Sequence, residues 1–385
     1  MSRAQHNRLV LIFALAGFAS AIATRLMDPL VAVLAFDFAE DPARVALVAT
    51  AFALPFALVQ PVLGPVADAL GKQRVVIFAL GFQTLFLAAS ALAPTLLVLL
   101  VLRALNGMAS GGIFPVTLAI FGDRVPLAER QVAISRFLAC AIAGQMAGGA
   151  MAGLLEPLIG WRGLCLLAAA LSAVAMVPLI RDKTKEVRGR LSLTESLARY
   201  RMLLTNRTAL WLFWAVGIEG FFVFGSFPFL ANHLLENGMG ATREAGFALA
   251  AFGAGGFLYA LLAPVLVARL GPPRMMMLGG ALGAAGLCLF ALAATAALFI
   301  MGGLFLGTGF FMLHNSLQTR VTEVAPQARG SATALHAFHF FLGQAAGPMV
   351  FGLARGTIGL EAGLLLAAAG LVTLGVLMGR RTAAV

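Results

Sequence analysis

Apolar residues run along this chain in long unbroken blocks, separated by short clusters of charge, proline and glycine. A helix needs about 20 mostly apolar residues to cross the hydrocarbon layer of a bilayer. The blocks predict twelve such helices, near 9–35, 44–67, 75–93, 95–121, 131–155, 162–180, 209–233, 244–268, 275–294, 296–319, 330–354 and 360–378. Membrane-spanning strands would alternate apolar and polar positions with period two, which these blocks do not. The expected fold class is an all-α polytopic membrane protein.

One polar stretch is long, RDKTKEVRGRLSLTESLARYRMLLTNRT at 181–208. It divides the chain into a six-helix bundle over 1–180, a linker over 181–208 and a second six-helix bundle over 209–385. Within the linker, 192–204 has the pattern of a short amphipathic helix, expected to lie on the anionic inner leaflet. A shift of 200 positions lays Leu70-Gly71 on Leu270-Gly271, Arg74 on Arg274, Gly107 on Gly307 and Pro126 on Pro326. A further slip of one residue brings GQMAG at 144–148 onto GQAAG at 343–347. Six crossings return the chain to its starting side, so the halves are parallel repeats. Their expected relation is a pseudo-two-fold axis along the membrane normal with a cavity between them.

Composition agrees: 61% of residues are hydrophobic and 11% are charged, against about 25% charged in an ordinary soluble domain. The net charge of +11 reports topology rather than a nucleic-acid partner. With the N-terminus inside, twenty-one of the Lys and Arg residues fall in cytoplasmic segments. Four, Arg44, Arg162, Arg243 and Arg355, fall outside. This is the positive-inside bias, and it predicts an inner-membrane protein with both termini cytoplasmic. The basic start MSRAQHNRLV leads into a long apolar stretch carrying Arg25 and Asp28, expected as a retained first helix rather than a signal peptide. Cys140, Cys165 and Cys288 lie in separate apolar blocks and suggest neither disulfides nor a metal site.

The turn GPVADALGKQR at 64–74 resembles the loop signature of the major facilitator superfamily, Gly-x-x-x-Asp-x-x-Gly-x-Arg/Lys, through Gly64, Asp68, Gly71, Lys72 and Arg74. The resemblance implies a gating role for these five. Gly64 would allow close helix approach, Gly71 a tight turn, and Asp68 would face the start of the eleventh helix at Gly330-Ser331-Ala332. LRALNGMASGG at 102–112 is similar to the family's Arg-x-x-x-Gly-x-x-x-Gly helix-4 pattern, with Arg103, Gly107 and Gly111. DPLVAVLAFDF at 28–38 looks like the first-helix end of drug and metabolite exporters, through Pro29, Asp37 and Phe38. That likeness implies proton-coupled export. In one place the chain departs from the proton-coupled drug antiporters: GQMAGGAMAG at 144–153 has Gly149 where their fifth helix has proline, and the proline version, GQAAGPMVFG, stands at 343–352.

Charges inside the apolar blocks mark the candidate site, since each costs roughly 2.5–3.5 kcal/mol near mid-bilayer and so faces a cavity or a partner. Asp28 and Arg103 lie at similar depth, and Arg25 shares a helical face with Asp28. The three are expected to cluster on the first half's side of the cavity. There Asp28 would bind the coupling proton, or the cationic part of a substrate, in competition with an arginine; the alternatives are a permanently ionised structural pair and an anion site formed by the two arginines. Glu219, deep in the second half and without an evident cationic partner, is the rival proton carrier. Asn106, Gln145, Gln344 and Phe222 are expected to contact substrate beside Arg25, Asp28 and Arg103. Gln145 and Gln344 are repeat-related and face the axis, and Phe222 belongs to the phenylalanine-rich run at 220–230. His336 and His339 share a face and are expected in interhelical hydrogen bonds; His314 is a further proton-relay candidate.

A P-loop is not found, so direct use of ATP is not expected, and neither a catalytic constellation nor a cofactor is predicted. The expected function is secondary active transport: proton-coupled efflux of a small amphipathic organic compound or metabolite by a monomer, with protons and membrane lipid as its other partners. An organic-anion or lipid-like carrier using the intramembrane arginines is the alternative. From another class, a non-transporting membrane receptor could share this architecture.

Overall fold

The structure, a computed structural model, describes residues 3–182, 193–324 and 326–383. Its elements are helical: α1 (Arg3–Arg25), α2 (Val31–Phe38), α3 (Pro42–Val45), α4 (Leu47–Leu70), α5 (Lys72–Ser90), α6 (Leu96–Ser110), α7 (Ile113–Arg124), α8 (Leu127–Arg181), α9 (Leu193–Thr205), α10 (Arg207–Phe224), α11 (Leu230–Glu236), α12 (Thr242–Leu292), α13 (Ala296–Val324), α14 (Arg329–Thr357) and α15 (Leu360–Ala383). Among the described residues, ten helical segments are long and apolar enough to cross a membrane. Two of them, Glu129–Arg181 and Thr242–Leu292, are 53 and 51 residues long. At about 1.5 Å per residue each would reach more than twice the ~30 Å of a hydrocarbon layer. Each is broken by a glycine whose backbone no other residue adopts easily: Gly160 (φ 65°, ψ 169°) in α8 and Gly271 (φ 66°, ψ 167°) in α12.

Proline sets two further breaks. Pro29 and Pro228 lie in short 3-10 turns, Asp28–Leu30 and Phe227–Phe229, which separate α1 from α2 and α10 from α11. Both turns are fully buried, and they abut one another at the centre of the molecule.

Positions 200 apart in sequence make matching contacts. A Cβ at Gly107 would lie 2.0 Å from the carbonyl oxygen of Phe52, and one at Gly307 1.9 Å from that of Phe252. Thr95 caps α6 by accepting from the Val98 amide, and Thr295 accepts from the Leu298 amide, both at 3.4 Å. Gly71 and Gly271 both turn at positive φ. The Gly-x-x-x-Gly segments of α6 and α13 are therefore packing seams, where backbone meets backbone because no side chain intervenes.

The outward surface is apolar. Leu97, Leu158, Leu261 and Leu353 are each at least 70% exposed, which suits lipid and would be costly in water.

A short helix does form in the linker, but Leu203 is buried in the core of the second half and the Tyr200 hydroxyl donates to the carbonyl of Pro61, in α4, at 2.6 Å. It is docked on the bundle through that face, while Leu197 and Leu204 stay exposed. The expected helix start at 192 lies outside the described residues.

Candidate functional site

A cavity of about 990 Å³ opens between residues 1–180 and 209–385. Its wall runs from Arg25 and Gln344 at the depth of the proline breaks to Gln131, Ser135, Arg320 and Glu323 at one end of the bundle. That end, the basic end, also carries the Gly71 turn and the docked α9. Toward the other end the halves close on each other. Thr50 donates to the carbonyl of Ala345 at 2.7 Å, and the Phe56 and Phe341 rings lie 3.9 Å apart. Gly149 and Gly153 of α8 meet Gly246 of α12 so closely that an added Cβ would strike backbone.

Arg25 stands at the head of the cavity. Its Nη1 donates to Asp28 Oδ2 at 3.3 Å and its Nη2 to Gln344 Oε1 at 2.9 Å. The guanidinium lies over the Phe224 ring, 3.9 Å from its centroid, a cation–π contact that helps hold a desolvated cation. Arg25 Nε and Gln344 Nε2 are buried donors with no protein partner. Asp28 sits behind Arg25 in a small recess with Phe52 and Ala53, 2% exposed.

Arg103 completes the charged group from within the first half, and it does so without reaching the cavity. It is fully buried, donates to the carbonyls of Ala23 and Val48 at 3.1 and 3.4 Å, and lies over the Phe52 ring. It thus ties α1 to α4 and adds positive charge behind Asp28. Asn106 is likewise internal, accepting from Ser110 at 3.1 Å. Gln145 and Gln344 both line the cavity, as their shared repeat position suggested. Phe222 does not: its ring packs against Gly370 of α15. The aromatic wall comes instead from Phe224, Phe310, Phe340, Phe341 and Phe56. The phenylalanine run showed that rings were available; of its five, Phe224 faces the cavity.

Glu219 has a partner that its sequence surroundings did not suggest. It is fully buried on α10, and its Oε2 lies 2.8 Å from Nδ1 of His314, on α13. The other oxygen, Oε1, has no partner. The ring of His314 lies on the cavity wall, 5.1 Å from that of His336. Contrary to the expected interhelical bonds, both nitrogens of His336 are unpartnered and His339 bonds the Leu335 carbonyl of its own helix at 2.8 Å.

In the gating turn, Lys72 binds Asp68 at 3.0 Å and Asp123 at 2.6 Å. Asp68 was expected against the start of the eleventh helix; here its carboxylate is half-exposed and faces Lys72, and the space around Gly330 is open. A Cβ on Gly64 would meet nothing within 4 Å, so no close helix approach occurs there. Gly71 makes the tight turn, with φ 98°. Arg74 is exposed in the first turn of α5.

Asp37, from the exporter-like segment, accepts from Trp161 and Arg162 at 2.9 and 2.6 Å. These bonds clamp the end of α2 to the far side of the Gly160 break.

Known proteins resemble this chain at three levels. A gallate transporter of Pseudomonas putida is 26% identical over 302 residues, covering 68% of this chain and 65% of that protein. A 4-hydroxybenzoate transporter of Pseudomonas aeruginosa is 28% identical over 173 residues, 45% of this chain and 39% of that one. Both matches span less than two thirds of the relative's length. Among solved structures, a bacterial homolog of the human lysosomal transporter Spinster, in an inward-facing and occupied conformation, superposes with a TM-score of 0.77 over 99% of this chain and 98% of that one, at 17% identity. That likeness shows the fold. Residues 13–348 match the Major Facilitator Superfamily, and with most of its length in that match the chain belongs to this family of transporters.

Proposed function

We propose that this protein is a proton-coupled secondary active transporter that moves a small amphipathic organic compound outward by alternating access. The breaks at Gly160 and Gly271 support reading α8 and α12 as two crossings each, which makes twelve in all. The matching contacts of residues 200 apart support two six-helix halves, 1–180 and 209–385, related by a pseudo-two-fold axis. The positive-inside bias supports an inner-membrane location with both termini and the basic end in the cytoplasm. The cavity then faces the cytoplasm, and the far end is the closed side. Outward movement is supported by the exporter-like segment at 28–38.

The carrying observation is the residue at the head of the cavity. Arg25 is shared between a carboxylate of its own half and an amide of the other, so a ligand that engages it changes the bonding between halves. Proton coupling would fall to the buried carboxyls, Asp28 beside Arg25 and Glu219 across the cavity.

The same geometry favours an anionic substrate over a cationic one. Arg25 and Arg103 set two positive charges against the single carboxylate of Asp28, and two donors, Arg25 Nε and Gln344 Nε2, are without a protein partner. Phenylalanine rings around them suit a flat apolar body. Gallate and 4-hydroxybenzoate, for which the two relatives are named, are compounds of this kind: aromatic rings bearing a carboxylate.

Counterflow in proteoliposomes tests the proposal. Labelled 4-hydroxybenzoate should exchange and should accumulate against its gradient when a pH gradient is imposed. Neutral 4-hydroxybenzyl alcohol and cationic 4-hydroxybenzylamine should compete at least tenfold more weakly. Equal competition by the amine would reject the anion preference, and exchange without any response to pH would reject proton coupling.

A further inference from the structure

We propose that Glu219 and His314 form one proton-binding site in the second half, loaded from the cavity through the imidazole of His314. The inference rests on the proton-coupled reading above and chooses between its two candidate carriers, giving the proton to α10 and α13 and leaving Arg25 and Asp28 to the substrate.

Placement carries the case. Glu219 is sealed from the cavity: its carboxyl is fully buried, one oxygen is engaged by His314 at 2.8 Å, and the other has no partner. A permanently ionised carboxylate in that position would leave a charged oxygen desolvated and unbonded, which a purely structural ion pair avoids by filling both oxygens. The pair has one exposed member. His314 is 17% exposed at its side chain and lies on the cavity wall, with its ring against Phe310 and Phe340 at 4.9 and 4.6 Å. Those rings fix the imidazole plane so that Nδ1 stays on Glu219, which leaves Nε2 as the nitrogen for exchange with the cavity.

The proton count balances without any further reactant. A hydronium ion in the cavity gives a proton to Nε2 of the neutral imidazole and leaves as water; the Nδ1 proton passes along the 2.8 Å bond to Oε2 of the carboxylate. The products are a neutral carboxylic acid and a neutral imidazole, so one positive charge has entered a pair that carried one negative charge. Release is the reverse transfer, into whichever side then wets His314.

The neighbouring charged and titratable groups do not supply a better partner. On α14 they are His336, whose unpartnered ring faces His314, and His339, held by its own backbone. On α12 there is Tyr259, reached through its hydroxyl's bond with Asn315. Arg320 and Glu323 lie further along α13 at the cavity mouth, and Arg25 with Asp28 lies across the cavity behind Phe224.

Infrared spectroscopy of the purified full chain tests this without any substrate. A pH titration should show a protonated-carboxyl band that is absent in Glu219→Gln. In His314→Gln the band should persist but titrate at least tenfold away in proton concentration and exchange more slowly with deuterium. Loss of no band in Glu219→Gln, or an unaltered titration in His314→Gln, would overturn the proposal. Glu219→Asp guards against misfolding: it should restore a titrating band, and a folded Glu219→Asp protein without one would also overturn it. With 4-hydroxybenzoate as probe, His314→Gln should lose pH-driven accumulation. Accumulation at the unsubstituted level would reject the site, whereas failure of the unsubstituted protein to exchange the probe would reject the transport reading and leave the infrared result to decide the proton site.

Discussion

Arg25 Nη2 donates to Gln344 Oε1 at 2.9 Å, and this bond joins the first half of the chain to the second at the point where the cavity ends. The same guanidinium holds Asp28. A planar fork can serve both partners at once, whereas an ammonium is a single point of charge. Arg25→Lys should therefore keep the positive charge and lose one of the two bonds. A hydrogen bond to a charged group contributes about 1.5–3 kcal/mol, so binding of 4-hydroxybenzoate should weaken by roughly 10- to 150-fold, read by equilibrium binding to the detergent-solubilised protein. A change below threefold would show that Arg25 does not hold the ligand.

Gln344→Ala removes the inter-half bond while leaving the charge and the Arg25–Asp28 pair in place. Spin labels placed on either side of the closed end should then report a broader distance distribution with a more open component. An unchanged distribution would mean that the backbone contacts at Gly149, Gly153 and Gly246 close this end by themselves.

Glycines at packed and open positions should respond in opposite ways. Gly107→Val would drive a side chain into the carbonyl of Phe52, with backbone and not a flexible tip in its path. Overpacking of this kind costs about 1–3 kcal/mol or more, and a drop in thermal stability of several degrees is expected. Gly307→Val should behave alike, against Phe252. Gly64→Ala meets nothing and exchanges a poor helix former for the best one, a gain of up to about 1 kcal/mol. A melting temperature for Gly64→Ala below that of the unsubstituted protein would show that its neighbourhood closes in the resting population.

Much of this arrangement was legible in the sequence because membrane solvation leaves few choices. Backbone groups in lipid must bond within the helix, so apolar run length alone indicated where the helices lie. The repeat of Gly107 and Gly307 was visible because small residues at a helix seam are a backbone requirement. Arg25, Asp28 and Arg103 stood out as charges that lipid would not accept. The sequence did not disclose Glu219's partner, since His314 is 95 residues away on another helix, and contact at that separation depends on how α10 and α13 cross. Phe222 was misplaced for a related reason: closeness in sequence to Glu219 assigns its ring to the cavity, but packing turns that ring toward Gly370 of α15.

Tyr200 provides a test outside the membrane-spanning segments. Burial pushes its phenol above the usual value, and its hydroxyl is the donor that docks α9 on Pro61. A raised folded-state value means that the docking contribution is fully present below the unfolded phenol's value, about 10, and is lost as pH rises through the folded one. The protein contains two tyrosines, so in a Tyr259→Phe background phenolate absorbance reports Tyr200 alone. It should titrate above a free tyrosine, and protease cleavage near residues 193–205 should increase over the same pH window. Titration at the free-tyrosine value would show that α9 is undocked in solution.

The turn that carries Asp68 gives the sharpest test of conformational exchange. Here Lys72 holds Asp68 and Asp123, and the beginning of α14 near Gly330 stands clear. Surface ion pairs of this kind contribute about 1 kcal/mol or less, so Lys72→Met should barely alter thermal stability. The cost of moving Asp68 to another partner is correspondingly small, and closing the basic end would bring α4 and α14 together at the height of the turn. A disulfide requires Cα atoms within about 4.4–6.8 Å. In a background lacking the three native cysteines, Asp68→Cys with Ser331→Cys should cross-link slowly when the cavity is held open to the basic end. Cross-linking should speed up at least fivefold when 4-hydroxybenzoate and a pH gradient drive cycling. A rate that is fast without substrate and unaffected by it would mean that the basic end is already closed in the resting protein, and that the open cavity is not its dominant state.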